Sequence, residues 1–274
     1  MFCVECPNGP PALKIESPMY GRNVIEMNHR PGLADDAEAI AEMRQNLREG
    51  DAYVVHNFMS PEKVRQIRSY LTEIGRHSLP NYEAIEHGCP NFHRVNVWDE
   101  RAYVKGCFHQ FSFFPWNQDV FQFFDLTRDI FRVKNVLNGL PKDKFLGPTP
   151  EDGCTARLSF QFYPSGGGGM HMHADPVDHH QLTASLLIMT DKGEDFKTGG
   201  GYVALDEDKK LYFDDIAKSG DVVHINAKVF HGVEKVDPGD DLDWLAFNGR
   251  WMSIFAVNQV ASVETVAEAV DLES

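Results

Sequence analysis

The sequence predicts a mainly β fold with flanking helices, and two observations lead to this prediction. Beyond residue 150, polar and apolar residues alternate with the period of strands in a series of segments separated by Gly, Asp and Pro. Before residue 150, apolar residues recur instead at helical spacing in several stretches. The spacing of the strand segments is typical of a sandwich or a barrel.

The amino-terminal half begins with a predicted helix, strand and helix. Residues 34–50 carry Ala, Ile and Leu at helical spacing, with acids early, an Arg late and a glycine as the stop. Residues 51–59 are β-branched and aromatic, which predicts a strand. Ser60 as an N-cap and Pro61 at the first helical position then predict a helix that ends near His77.

The pattern is poorer between residues 80 and 150. Residues 108–124 are rich in phenylalanine and are expected in the core, a helix is predicted over 118–138, and the Pro- and Gly-rich stretch 139–153 predicts a loop. Strands are predicted at 157–163, 181–189, 221–226, 231–236 and 250–258.

We expect residues 1–274 to form a single domain, because this length can bury a sizeable core. Its predicted parts are an irregular amino-terminal segment (1–33), a helical or mixed support region (34–150), a β core (151–260) and a tail (261–274). The tail is either a short helix or disordered.

Composition excludes several classes of protein. The net charge of −15 without a basic cluster argues against a nucleic-acid partner. No apolar run approaches the ~18 residues of a membrane span, and no secretory signal is visible, so a cytoplasmic location is expected. A small molecule is the expected partner, while the sequence leaves open whether the chain is a monomer or a homodimer.

The cysteines fit a reducing compartment. There are five, an odd number that is too sparse for a disulfide scaffold. Cys3 and Cys6 form a C-x-x-C, but no second pair with zinc-ligand spacing follows. Two free thiols on a disordered terminus are favoured over a structural zinc.

The most informative motif is His173-Ala-Asp175 together with His231 at the start of a later strand. Residues two apart on a strand point to the same side, so His173 and Asp175 are expected to reach one ion. Two imidazoles and one carboxylate form the triad that binds ferrous iron and leaves positions open for other ligands. The spacing alone can arise by chance in a chain with 12 histidines and 41 acidic residues.

The flanking residues make this motif more specific. The ordered features are Tyr163 and Gly166 to Gly169 before the motif, Leu182-Thr183, the glycines 199–201, Gly220-Asp221, His231-Gly232-Val233 and Arg250. In this order they resemble the core of the iron(II)- and 2-oxoglutarate-dependent oxygenases, particularly the prolyl-hydroxylase-like branch. The resemblance implies a double-stranded β-helix, which is a jelly-roll, cupin-like core, supported by the amino-terminal helices.

The resemblance also implies the cofactors and the activity. His173, Asp175 and His231 would hold Fe(II), and Arg250 would bind the distal carboxylate of 2-oxoglutarate with help from Tyr163 and Thr183. The implied reaction uses O2 and 2-oxoglutarate, releases succinate and CO2, and hydroxylates a small molecule such as an amino acid or a biosynthetic intermediate.

Two departures from the family pattern bear on these roles. Residues 237–249 form an insertion before Arg250, which is either a lid over the open face or a solvated hairpin. Met252 stands where many members carry Ser or Thr, which places the hydroxyl partner of Arg250 in doubt. The carboxylate of Asp175 occupies the position that a halide would need, so hydroxylation is favoured over halogenation, while desaturation and ring formation would use the same residues.

Several further residues are candidates for contacting the substrate. These are His171, Arg94, Arg157 and Trp244. His171 shares a face with His173 if the strand is regular there; otherwise it is a surface histidine or supports a metal ligand. Arg94 would face a substrate carboxylate or form a loop salt bridge, and Arg157 alternates with Tyr163 and would line the pocket or the rim.

Two other functions remain open at this level. A protein or peptide hydroxylase would use the same site on a different substrate. A cupin-like metal-binding or sugar-binding module without redox chemistry would more often use three or four histidines, and would give no reason for Arg250.

Overall fold

The computed structural model describes residues 17–81, 84–98, 104–177 and 180–260. The strands are β1 (Val24–Asn28), β2 (Ala52–His56), β3 (Phe92–Val97), β4 (Gly106–Phe113), β5 (Cys154–Pro164), β6 (Gly168–His173), β7 (Thr183–Ile188), β8 (Gly200–Ala204), β9 (Lys210–Tyr212), β10 (Val222–Asn226), β11 (His231–Val236) and β12 (Gly249–Gln259). The helices are α1 (Ala37–Arg48), α2 (Pro61–His77), α3 (Phe123–Leu126) and α4 (Arg128–Leu137), with 3₁₀ turns at Leu33–Asp35 and Phe213–Asp215.

Strands β5 to β12 form two facing sheets. One sheet has the order β5-β12-β7-β10, and the other has the order β6-β11-β8-β9. Strand β4 pairs with both β5 and β6 and so joins the two sheets along one side. Because the chain crosses repeatedly between the sheets, they wind into a double-stranded β-helix, which confirms the fold class predicted from the sequence.

The amino-terminal half extends and covers the first sheet. Strand β2 pairs with β10, β1 adds a parallel strand beside β2, and β3 pairs with β4. The apolar faces of α2 and α4 are buried with the outward-facing side chains of β5 and β12. Among the described residues, no helix combines the length and the apolar character that crossing a membrane requires.

The helix starts follow local rules that are visible in the sequence. The Ser60 side chain accepts a hydrogen bond from the backbone N–H of Lys63 at 3.2 Å, Pro61 occupies the first turn, and α2 ends at His77 as predicted. The helix predicted over 118–138 is instead two short helices. The Asp119 carboxylate accepts backbone N–H groups of the following residues, and this local turn competes with a helix before Phe123.

Strand β4 was not predicted from the sequence, and its burial explains why. All of its residues are buried, so buried and exposed positions do not alternate along it. Phe111 and Phe113 lie on its outer face, and Gln110 and Ser112 lie on its inner face. The phenylalanine-rich segment is therefore partly a central strand. The C-x-x-C at Cys3 and Cys6 and the tail 261–274 lie outside the described residues, and the single-domain organisation of residues 1–274 stays a prediction.

A pair of buried histidines lies between α2 and the outer face of β4. The Ser78 hydroxyl lies 2.9 Å from Nδ1 of His93, and Nε2 of His93 lies 2.8 Å from Nδ1 of His109. Burial lowers the pKa of His93 to about 4. Burial, followed by the charge of His93, lowers the pKa of His109 to about 3. Both imidazoles are therefore neutral at neutral pH.

These histidines make the stability of the fold sensitive to acid. In the unfolded chain each imidazole takes up a proton near pH 6.5, whereas in the folded protein it resists protonation to pH 4 or below. The contribution of the two neutral histidines to the unfolding free energy is therefore fully present above pH 6.5. It is lost as the pH falls below the unfolded pKa towards the folded pKa.

We predict that His109→Phe reduces the pH dependence of the unfolding free energy by one proton, about 1.4 kcal/mol per pH unit, between pH 6 and pH 4. Urea unfolding of the variant and the unsubstituted protein across this range measures the difference. An identical pH dependence in the two proteins would contradict the assignment.

Candidate active site

The two candidate histidine ligands lie directly opposite each other on neighbouring antiparallel strands. His173 is the last residue of β6, His231 is the first residue of β11, and the two are paired in the register of the sheet. Their ring centroids are 4.4 Å apart. The sheet register therefore places both imidazoles at the same end of the barrel.

Backbone carbonyl groups orient both rings. Nδ1 of His173 lies 2.9 Å from the carbonyl oxygen of His171, and Nδ1 of His231 lies 2.8 Å from that of Val229. A carbonyl oxygen only accepts, so each Nδ1 carries the proton and each Nε2 presents a lone pair. Burial lowers the pKa of His231 to about 4, which keeps this imidazole neutral and able to bind a metal.

The third candidate ligand, Asp175, lies in the loop beyond β6 and not on the strand itself. Its backbone N–H donates to the carbonyl oxygen of Ala227 at 2.8 Å, which fixes the loop against the turn after β10. Its carboxylate oxygens lie 3.4 Å from Nε2 of His173 and 3.7 Å from Nε2 of His231. One ligand atom from each of the three side chains falls within 4.8 Å of the others.

The electrostatic environment keeps Asp175 ionised. Burial alone raises the pKa of this carboxyl, but the imidazoles of His231 and His173 and the ammonium group of Lys134 outweigh it, so the net shift is downwards. Lys134 is wholly buried and donates to the carbonyl oxygen of Thr183 at 2.8 Å. Two neutral imidazoles and one carboxylate are the donor set that suits Fe(II) with open coordination positions.

A β-bulge separates His171 from the metal ligands. Val233 of β11 pairs with Met170 of β6, two residues along β11 but three residues along β6 from the His231–His173 pair. The extra residue on β6 breaks the alternation, which would otherwise place His171 and His173 on one face. His171 is exposed, and its ring lies 5.1 Å from that of Trp98.

Arg250 is enclosed in the barrel next to Tyr163. The two residues are paired in the register of β12 and β5, both are 0 % exposed, and the guanidinium carbon lies 5.7 Å from the Tyr163 ring. The Tyr163 hydroxyl donates to the side-chain oxygen of Gln161 at 2.5 Å. Among the described residues, Nη1 of Arg250 is buried and has no hydrogen-bond partner. A buried cation with an unused donor fits a carboxylate ligand.

The strand register places Arg250 below the metal site. An added Cβ on Gly201 would lie 2.6 Å from Nη2 of Arg250, so the guanidinium lies against β8 at this residue. Gly201 pairs with Val233, and Val203 pairs with His231. The guanidinium thus lies two residues along the sheet from the histidine, a rise of about 7 Å. This separation suits a five-carbon dicarboxylate that spans the two groups.

Two of the four substrate candidates line the inner face of the barrel. Arg157 alternates with Tyr163 along β5, on the face opposite the helices. Arg94 is buried, and its Nη2 donates to Gln110 at 2.8 Å across β3 and β4. Together with Gln161, these side chains make one half of the inner face polar.

Two predicted site residues lie elsewhere. The Thr183 hydroxyl donates to the side-chain oxygen of Asn138 at 2.8 Å, on the helix side of β7, so it faces away from Arg250. Trp244 packs on the outer face of β4, with its ring centroid 5.0 Å from that of His109. The insertion 237–249 follows the end of β11 that is remote from His231, so it does not form a lid over the metal ligands.

Sequence reasoning missed Asp214, which contacts Arg250 directly. Its carboxylate accepts from Nε of Arg250 at 2.5 Å and from Nη2 at 3.1 Å. Nothing in the sequence distinguishes this aspartate from the other acidic residues, because the contact joins positions that are distant along the chain.

The fold is shared with solved oxygenase structures. A Pseudomonas putida prolyl-4-hydroxylase aligns with a TM-score of 0.52 at 12% identity, over 81% of this chain and 100% of that chain. A full-length Neurospora crassa protein in complex with alpha-KG and thymine aligns with a TM-score of 0.52 at 12% identity, over 86% and 85%. JOX2 in complex with 2OG, Fe and JA aligns with a TM-score of 0.50 at 15% identity, over 91% and 78%. No family model and no curated protein matches the sequence.

We predict that the protein binds one equivalent of Ni(II), and that His231→Ala weakens this affinity at least about 100-fold because one of three ligands is lost. Isothermal titration calorimetry measures both affinities. The matched control is His77→Ala, which removes an exposed imidazole on α2 and should leave the affinity unchanged. Equal Ni(II) affinity in the two variants would place the metal elsewhere.

Proposed function

We propose that this chain is an Fe(II)- and 2-oxoglutarate-dependent oxygenase that hydroxylates a small molecule. The observation that carries the proposal is the pairing of two sites in one barrel. His173, Asp175 and His231 converge at its mouth, and Arg250 is buried one strand pleat below with Nη1 unpartnered among the described residues. A cupin-like module without a keto acid would leave the unpartnered Nη1 of this buried arginine unexplained.

Each residue of the candidate site has a defined role in this proposal. The two imidazoles and Asp175 hold the iron through Nε2 and carboxylate oxygens, and the backbone carbonyl groups behind the rings fix their direction. Arg250 binds the distal carboxylate of 2-oxoglutarate. The Tyr163 hydroxyl lies beside it, and its single proton, which bonds to Gln161 in this structure, would turn to the carboxylate when the keto acid binds. Iron with 2-oxoglutarate and O2 supplies oxidative decarboxylation to succinate and CO2, coupled to oxidation of a C–H bond.

The polar side chains on the inner face of the barrel favour a small polar molecule as the substrate. Gln110 and Gln161 are almost fully buried and paired with each other, Arg94 pairs with Gln110, and Arg157 lies further along the same face of β5. A substrate group that reaches these side chains is enclosed by the barrel, which suits an amino acid or a biosynthetic intermediate better than a folded protein surface. The structural neighbour from Neurospora crassa was crystallised with thymine, which is also a small polar molecule.

A peptide substrate is the second candidate, since a prolyl-4-hydroxylase shares the fold. The buried thiols of Cys107 and Cys154 form no disulfide within the described residues, which supports the reducing environment expected from the sequence, and we propose a cytoplasmic location.

Succinate release tests the proposed reaction. We predict that the protein releases succinate only when Fe(II), 2-oxoglutarate and O2 are all present, and that a substrate accelerates this release. A panel of amino acids, small metabolites and proline-containing peptides, monitored by succinate formation, identifies the substrate class. Acceleration by peptides alone would favour the second candidate.

The same assay with variants tests the site. His231→Ala should lower succinate release at least about 100-fold, because the metal affinity falls, whereas His77→Ala should retain it. Undiminished turnover in His231→Ala would refute the proposal, and metal binding without any affinity for 2-oxoglutarate would favour a non-redox module.

A further inference from the structure

The buried arginine of the barrel already has a counter-ion. Asp214 is 1 % exposed, and its two carboxylate oxygens accept from Nε and Nη2 of Arg250 at 2.5 and 3.1 Å. Nε and Nη2 form one edge of the planar guanidinium, so Nη1 lies on the other side of the group. The two oxygens of Asp214 therefore occupy one edge of the guanidinium and leave Nη1 for a ligand.

The fold makes room for this pair with two adjacent glycines on β8. The backbone N–H of Gly201 donates at 2.5 Å to the Asp214 oxygen that also accepts from Nε of Arg250. An added Cβ on Gly200 would lie 2.6 Å from that oxygen, and one on Gly201 would lie 2.6 Å from Nη2 of Arg250. The Gly-Gly pair thus admits a carboxylate and a guanidinium side by side in the barrel interior.

We propose that Asp214 is an internal counter-ion that lowers the affinity of Arg250 for the distal carboxylate of the co-substrate. This inference rests on the proposed function. Asp214 compensates the buried charge when no keto acid is bound, which stabilises the ligand-free protein. It also repels a second carboxylate that approaches the same guanidinium.

The negative charge of Asp214 affects the binding of a second carboxylate more than Asp214 affects the position of Arg250. Two carboxylates on opposite sides of one guanidinium are separated by roughly 6 to 7 Å in a buried site, where neither salt nor water screens their repulsion well. The position of Arg250, in contrast, does not depend on the charge of Asp214. Arg250 is fully buried, and its guanidinium carbon lies 5.7 Å from the rings of Tyr163 and Phe213. The side-chain oxygen of an asparagine at 214 still accepts from Nε and from the Gly201 N–H, while its –NH2 group gives up the bond that Nη2 makes to the second Asp214 oxygen.

Two keto acids of equal length separate the effect of charge from that of packing. 2-Oxoglutarate carries the distal carboxylate and 2-oxovalerate lacks it. Calorimetric titration of the Ni(II)-loaded protein, which does not turn over, gives the affinity for each. We expect Asp214→Asn to bind 2-oxoglutarate at least about tenfold more tightly than the unsubstituted protein, with 2-oxovalerate changed by less than about twofold.

The neighbouring Asp215 provides the matched control. Its side chain is 55 % exposed and pairs with Lys192, so Asp215→Asn removes the same charge from the same turn without touching Arg250. Its affinities for both keto acids should equal those of the unsubstituted protein. An equal gain in 2-oxoglutarate affinity in both variants would mean that general charge acts, and would overturn the proposal.

Unchanged or weaker binding of 2-oxoglutarate in Asp214→Asn also overturns the proposal, and so does equal weakening of both keto acids. If the variant is unfolded without ligand, it is refolded with Ni(II) and either keto acid. Recovery with 2-oxoglutarate but not with 2-oxovalerate supports the counter-ion, whereas recovery with neither contradicts it.

The outcomes distinguish this inference from the proposed function. An unsubstituted protein that binds Ni(II) but neither keto acid refutes the proposed function. A protein that binds 2-oxoglutarate and releases succinate, but whose Asp214→Asn variant gains no affinity, refutes the counter-ion alone.

Discussion

The antiparallel pairing of β6 with β11 is the constraint on which the site depends. It sets His173 directly opposite His231, and a slip of one residue would turn one imidazole away from the other. The β-bulge next to this pair allows both Met170 and His173 to pair with residues of β11, although they are three residues apart on β6. The backbone hydrogen bond from Asp175 to Ala227 then anchors the loop of the third ligand to the turn after β10, so the opposite sheet helps to position the metal centre.

A second constraint is the burial of a cation among apolar side chains in the barrel. Val233 and Met252 belong to the barrel core around Arg250, and the other half of the inner face is lined by aliphatic side chains of β7 and β10. An isolated guanidinium in such surroundings is costly, which explains the close contact with Asp214 and the glycines that admit it. Arg250 projects from β12, and its guanidinium lies against Gly201 of β8, the strand that pairs with β11. The register of β8 with β11 therefore sets the distance between the arginine and His231.

Much of this architecture could be predicted from local sequence signals. Helix α2 begins as predicted because Ser60 and Pro61 cap it, and β11 has the predicted bounds, His231–Val236. The metal ligands could be proposed because His173 and Asp175 stand close together in the sequence. Strand β4 escaped prediction because both of its faces are buried, which hides the alternation.

Other features of the site depend on contacts that only the tertiary structure determines. The face of Thr183 depends on strand pairing, and its hydroxyl meets Asn138 of the helix layer. The direction of His171 depends on a bulge that has no sequence signature here. The partnership of Asp214 with Arg250 joins residues that are 36 positions apart, with no local pattern to connect them.

The most direct test of this account is a crystal structure of the Mn(II)-loaded protein with 2-oxoglutarate, grown without oxygen. We expect Mn(II) bound by His173, Asp175 and His231, chelated by the keto acid, with the distal carboxylate within hydrogen-bond distance of Nη1 of Arg250 and the bond from Asp214 to Nε retained. Metal on other ligands, or a keto acid whose distal carboxylate lies away from Arg250, would contradict the account.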